Sequence, residues 1–247
     1  MQNLLTIDTN AKTIKGQEYG FMTGILYMAP ANISGHNTCA MAEVAQCAKA
    51  CLYSAGRGAF TNVQNARIRK AKAYFENRQE FMNQLVIDIT KLVNKANKNN
   101  MVPLVRLNGT SDIQWENVQF EHNGKLTTIF DIFPTVQFYD YTKISKRTDL
   151  PANYDLTFSY SGVLGYQKYV RQAVSNGMRI AVVFRRRVDI PKKFLGLPCI
   201  DGDNSDIRHI EPKQTIVALY AKGKAKTDTT GFVVDSLKPV FALSQVA

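Results

Sequence analysis

The second half of this chain is built from short apolar runs that each end in polar residues, and that pattern constrains the fold more than any other feature. The runs are Leu104-Val105-Arg106-Leu107 before Asn108-Gly109-Thr110-Ser111-Asp112, Val136-Gln137-Phe138-Tyr139 before Asp140-Tyr141-Thr142-Lys143, and Leu156-Thr157-Phe158 before Ser159-Tyr160-Ser161. Ile180 to Phe184, Pro198-Cys199-Ile200 before Asp201-Gly202-Asp203, and Ile216 to Leu219 before Tyr220-Ala221-Lys222 continue the series. Runs this short, bounded by turn residues, predict strands. Helical stretches fit between several of them, Tyr166 to Ser175 being one. Upstream, Phe21 to Tyr27 is extended in character. A long helical pattern from about Val63 to Lys98 repeats Phe75, Phe81, Leu85, Ile89 and Leu92 on one face. Strand, polar loop and helix in alternation predict an α/β fold, a parallel sheet with outer helices.

In such folds ligands sit outside the carboxyl ends of the strands, whether the sheet is open or closed. This chain concentrates Asn108, Ser111, Asp112, Asp140, Lys143, Ser159, Asp201 and Lys222 at those positions. The expected architecture is a partial or complete (β/α) barrel with one polar mouth, ordinary loop polarity being the alternative. Of these residues, Asn108, Ser111, Asp112, Lys143, Ser159 and Asp201 are the candidates for binding a cofactor. With 247 residues, no solenoid repeat and no low-complexity linker, the whole chain 1–247 reads as a single domain. Its cysteine loop spans about 35–58 and its strand-end loops about 104–226.

Three of the four cysteines, Cys39, Cys47 and Cys51, fall within thirteen residues. On a helix Cys47 and Cys51 would share a face, and Cys39 would return to a similar azimuth or fold back from a loop. Three converging thiolates suit a soft metal or an iron–sulfur cluster and leave one coordination position open. Zinc is an alternative, against which stands the lack of a short CxxC knuckle. So are structural thiols on a helix face with Ala42, Ala45, Ala48 and Ala50. An i,i+4 pair on a helix is poorly placed for a disulfide. The glycines of Ala55-Gly56-Arg57-Gly58 end the expected helix and let backbone pass close to the centre, where Arg57 would offset thiolate charge. Cys199 and His36 are candidates for a fourth ligand. For Cys199 a buried strand position is the favoured reading, and for His36 a hydrogen-bonding neighbour.

Hydrophobic content of 45% with 21% charged residues is globular composition. The opening Met1 to Asp8 lacks a secretory pattern, and no apolar run is long enough to span a bilayer. A reducing cytoplasm and no membrane partner are therefore expected. A net charge of +11 favours anionic partners, nucleic acid among them. It is densest at Arg67 to Lys72, Arg185-Arg186-Arg187, Lys192-Lys193 and Lys222 to Lys226, where solvated faces are the plainer explanation. Asp201 to Asp206 lacks the glycine and glutamate of an EF-hand and reads as an acidic turn. Trp115 and Glu116 follow Asn108 closely enough to line the mouth, with the tryptophan equally suited to the core. The three histidines, His36, His122 and His209, lie in no nucleophile motif, so no catalytic residue is assigned.

Cysteines after a first strand, followed by βα units with polar strand ends, resemble the radical S-adenosylmethionine superfamily. Asn37-Thr38-Cys39, Cys47 to Tyr53, Ala55 to Gly58, Arg106 to Asp112, Phe138 to Lys143, Asp201 to Arg208 and Ala221 to Ala225 resemble a family of uncharacterised bacteriophage proteins. The superfamily resemblance implies a [4Fe–4S] cluster on Cys39, Cys47 and Cys51, with S-adenosylmethionine on the fourth iron. The spacing here is C-x7-C-x3-C instead of C-x3-C-x2-C, and no glycine-rich strip for the cofactor is evident. The expectation is a phage-encoded iron–sulfur protein in the cytoplasm of the infected host, with a small molecule bound at the cluster. The rival is a non-enzymatic basic protein that binds nucleic acid or other phage components around a structural metal.

Overall fold

The computed structural model describes residues 3–7, 11–51, 53 and 55–235. Met1, Gln2 and Asp8 of the opening stretch, and Leu52 and Ser54 of the cysteine loop, lie outside the described residues. The strands are β1 (Leu5–Ile7), β2 (Phe21–Leu26), β3 (Val102–Arg106), β4 (Gln119–His122), β5 (Lys125–Thr128) and β6 (Gln137–Thr142). They continue with β7 (Tyr154–Ser159), β8 (Arg179–Phe184), β9 (Lys193–Phe194), β10 (Leu197–Asp201) and β11 (Ile216–Tyr220). The helices are α1 (Ala11–Gln17), α2 (Thr61–Glu76), α3 (Arg78–Lys98), α4 (Ile129–Ile132) and α5 (Gln167–Ser175).

Nine strands form one sheet in the order β1-β2-β3-β6-β7-β8-β11-β10-β9. From β2 to β10 all neighbours are parallel, and β1 and β9 close the two edges as antiparallel strands. The expected runs at 104, 136, 156, 180, 198 and 216 are thus β3, β6, β7, β8, β10 and β11. The sheet is open: β1 and β9 are edges, and they do not pair with each other to close a barrel. The complete barrel is corrected to an open, mostly parallel α/β sheet. The physical reason lies in β1 and β9, which occupy with antiparallel pairings the edges that closure would have to join.

The strand order advances in one direction from β2 to β8, so right-handed crossovers send those connections to one face, whereas β11 lies between β8 and β10 and the β10–β11 connection crosses on the other. On the first face Met22, Val105, Phe138, Leu156, Ile180 and Ile216 of the strands pack with Leu85, Leu92, Phe130 and Val170 of the helices in the main core. The other face is unusual in burying charge. Arg179 donates to the Asp155 carboxylate at 2.7 Å and to Thr157 at 2.9 Å, and Arg106 pairs with Asp206. The segment around Asp206 to Glu211 covers this face, with Ile207 packed on Leu104 and Tyr139. Further hydrogen bonds support these pairs: the Tyr141 hydroxyl donates to Asp206 at 3.3 Å, and Arg179 donates to the Glu211 carbonyl at 3.2 Å.

Two local expectations change. The helical pattern from 63 to 98 is two helices, broken at Asn77, whose φ of −136° and ψ of 56° turn the chain. From Cys39 to Cys51 the chain forms turns instead of the expected helix: they run Ala42 N–H to the Cys39 carbonyl, Ala45 to Met41 and Cys47 to Ala42. Gln46 has a φ of +50°, a left-handed conformation that stops helical propagation between the first and second thiol.

Candidate functional site

The cysteine segment follows β2 and lies across the carboxyl ends of the parallel strands. Several bonds fix it there. The Thr38 hydroxyl donates to the Ala29 carbonyl at 2.7 Å, and the Asp112 N–H, in the loop after β3, donates to the Thr38 carbonyl at 2.8 Å. The Ser161 hydroxyl, beyond β7, donates to the Ala45 carbonyl at 2.8 Å. Ala50 packs with Ala221, Ala225, Phe232 and Val233, beyond β11. One irregular segment is therefore tied to the ends of β3, β7 and β11.

Beneath it the expected strand-end residues form a connected network. The Asp140 carboxylate accepts the Leu107 and Asn108 N–H groups at 3.1 and 2.9 Å and the Tyr154 hydroxyl at 3.1 Å. Burial pushes its pKa up to about 6 against the opposing pull of Arg106. The Asn108 side-chain Oδ1 accepts from the Ser111 hydroxyl, the Ile113 N–H and the Trp115 indole. Asp112 accepts the Lys143 N–H at 2.7 Å and faces the Arg147 guanidinium at 3.3 Å, while Arg147 also clasps Glu116. Burial raises the Asp112 carboxyl despite Arg147.

Lys143 is the centre of this arrangement. Its ammonium donates to the Ser159 carbonyl, the Ser159 hydroxyl and the Tyr160 carbonyl, each at 3.0 Å, and lies 4.7 Å from the Phe232 ring centroid. All three protons are thereby used. Burial lowers its pKa to about 8, opposed by Cys47, Asp112, Cys51 and Cys39. All three thiols thus lie within electrostatic reach of one buried ammonium. Burial raises each of them in turn, Cys39 to about 12. A second buried cation, Arg67 of α2, donates to the Tyr53 carbonyl at 3.2 Å and acts on Cys51.

Tertiary structure brings Cys39, Cys47, Cys51, Asn108, Ser111, Asp112, Lys143 and Ser159 together. It leaves Asp201 out: that residue ends β10, beyond β7, β8 and β11, and pairs with Arg187 at 2.6 Å. Lys222 pairs with Asp203 at 2.6 Å. Cys199 is aligned with Ile216, the first residue of β11, towards the amino edge and away from the thiols. His36 stacks on Phe75 with centroids 4.7 Å apart and contacts Glu76 at 3.1 Å. Arg57 is exposed, so the counter-charges near the thiols are Lys143 and Arg67. Sequence reading missed Arg67, hidden in a basic run whose members divide between interior and surface. Gly58 does permit a close approach, though of another kind: a Cβ there would lie 2.3 Å from the Tyr53 carbonyl oxygen.

The donor set of three thiols beside two cations fits the chemistry of a soft metal or an iron–sulfur centre. The geometry does not fit: among the described residues no group of three or more His, Cys, Asp or Glu side chains, Cys39, Cys47 and Cys51 included, stands close enough to hold a metal ion.

The Gene product 88 family model matches residues 3–236, nearly the whole chain. The chain belongs to the Gene product 88 family. The match includes the cysteine segment, Lys143 and every strand, so membership applies to the site as well as the sheet. It bears out the phage-type assignment, while the radical S-adenosylmethionine kinship finds no parallel in it. Neither the curated proteins nor the solved structures gave a match. No helix among the described residues is long and apolar enough to cross a membrane.

Proposed function

We propose that this Gene product 88 protein is an iron–sulfur protein of the infected host's cytoplasm, with Cys39, Cys47 and Cys51 as the cluster ligands. The observation that carries the proposal is that all three thiols lie within electrostatic reach of the buried Lys143 at the carboxyl edge of the sheet. A [4Fe–4S] cluster on three thiolates would supply an open iron for S-adenosylmethionine or another small molecule. Lys143 and Arg67 would offset the thiolate charge that this apolar setting otherwise disfavours. Ligation requires the thiols to draw closer than they stand here. A segment of turns can make that adjustment without breaking a strand or helix ladder.

The test is anaerobic reconstitution with ferrous iron and sulfide. We expect a coloured, iron-containing protein whose iron is lost in Cys47→Ala. A colourless, iron-free product from folded wild-type protein overturns the proposal. Addition of S-adenosylmethionine to the reduced protein then separates two outcomes: a changed electron paramagnetic resonance signal or released 5′-deoxyadenosine supports cofactor binding, and neither removes it.

A second reading, a basic protein that binds nucleic acid or phage components around a structural metal, is favoured by the net charge of +11.

A further inference from the structure

The chain has no Asp or Glu between Glu43 and Glu76, and none between Glu211 and Asp228. The fold sets parts of these two acid-free stretches against each other. Ala50 and Ala225 share one apolar cluster with Ala221, Phe232 and Val233, so the residues flanking them, Lys49, Lys224 and Lys226, emerge around it. A Cβ on Gly223 would lie 3.1 Å from the Ala55 Cβ, which brings Arg57 to the same border. Lys49, Arg57, Lys224 and Lys226 are all exposed.

Of the acids near this surface, Glu43 is exposed at its edge and three others are already engaged. The Asp228 carboxylate is buried and accepts from Thr230 and the Val233 N–H, Asp235 pairs with Arg185, and Asp203 pairs with Lys222. The turn that carries Lys224 and Lys226 is held from below, where the Arg185 guanidinium takes up the carbonyls of Ala225, Lys226 and Asp228. Phe60, three residues after Arg57, leaves 61% of its surface exposed at the start of α2. Cations on a fixed frame beside an exposed ring suit a strand whose phosphates are neutralised and whose unpaired bases can stack.

We propose that the surface formed by Lys49, Arg57, Lys224 and Lys226, with Phe60 at its border, binds single-stranded nucleic acid. It rests on the second reading above and is independent of any metal. The experiment is fluorescence anisotropy with a labelled oligothymidylate on the full chain, at several salt concentrations. Wild type should bind with affinity that falls as salt rises. The triple variant Lys49→Ala, Lys224→Ala, Lys226→Ala should bind about tenfold or more weakly, with its log–log salt slope reduced by about 2, near 0.7 per phosphate contact. The triple variant Lys91→Ala, Lys95→Ala, Lys98→Ala makes the same charge change on α3 and should retain most of the affinity. Phe60→Ala should weaken binding about fivefold or more with the slope unchanged.

Equal losses in the two triple variants would reduce the effect to net charge and overturn the proposal. So would a matched duplex binding more tightly than the single strand, or no binding by wild type. Iron content measured on the same samples keeps this result separate from the fate of the thiol centre.

Discussion

At the scale of single residues, the site is governed by burial of groups that water would normally keep charged. Cys39 sits with its sulfur 3.7 Å from the Thr38 hydroxyl and 3.9 Å from the Thr110 carbonyl, and burial pushes its pKa from 9.0 to about 12. Thiolate is the reactive form, so a shift of that size suppresses alkylation by roughly a thousandfold near pH 8. In the iron-free protein, mass spectrometry after brief iodoacetamide treatment should find Cys199 modified well before Cys39. Cys199 is raised only by partial burial. Cys39 reacting first would contradict the packing described for it. Asn108 illustrates the other side of residue-scale reading. Its position at a strand end is legible in sequence, but its amide is spent on Ser111, Ile113 and Trp115. It shapes the loop, and a ligand would meet what that loop presents.

Among the elements, the parallel strands were the most legible, because each apolar run is short and ends on a polar turn. Less legible was anything decided by one backbone angle. Asn77 splits the long helical pattern without disturbing the spacing of its apolar residues, so periodicity passes through the break unchanged. The β4–β5 hairpin carried a usable signal in Asn123-Gly124, both at positive φ, as a tight hairpin turn requires. Close approach between elements is sharpest at Gly109, after β3. A Cβ there would lie 2.6 Å from the Tyr27 ring, 2.7 Å from Ile25 and 2.8 Å from the Leu26 carbonyl oxygen. Gly109→Ala must therefore push the start of the cysteine segment off the strand ends. Urea denaturation should show a loss of about 1–3 kcal/mol, the usual cost of overpacking a filled site. A neutral result would mean that the segment yields freely.

For the whole molecule, the shifted groups fix how stability depends on pH. Cys39, raised to about 12, contributes stability that is complete below its ordinary value of 9.0 and is lost as pH climbs towards 12. Lys70 and Lys143, both lowered from 10.5 to about 8, act oppositely, and the cost of keeping them charged is relieved between 8 and 10.5. Buried Tyr139 and Tyr154 and half-buried Tyr141, all raised, add to the alkaline loss. Stability should therefore rise from about pH 8 to 9, where only the lysines contribute, level off as the thiol slope sets in above 9, and fall above about 10.5. Thermal unfolding across that range checks this, and Cys39→Ala should fall less steeply. A stability that did not fall between pH 10.5 and 12 would contradict the burial of the thiols and phenols.

The alternation of apolar runs and polar turns determined the parallel α/β sheet, because each run is too short to bury itself except beside another. The cluster of cysteines in sequence likewise pointed to the segment that lies across the carboxyl ends of the strands. Only tertiary structure decided that the sheet stays open, that the thiols ride on turns, and that Lys143 and Arg67 face them while Arg57 points to water. Those outcomes depend on edge pairing, on single left-handed residues and on contacts between segments far apart in the chain, none of which leaves a periodic trace in the sequence.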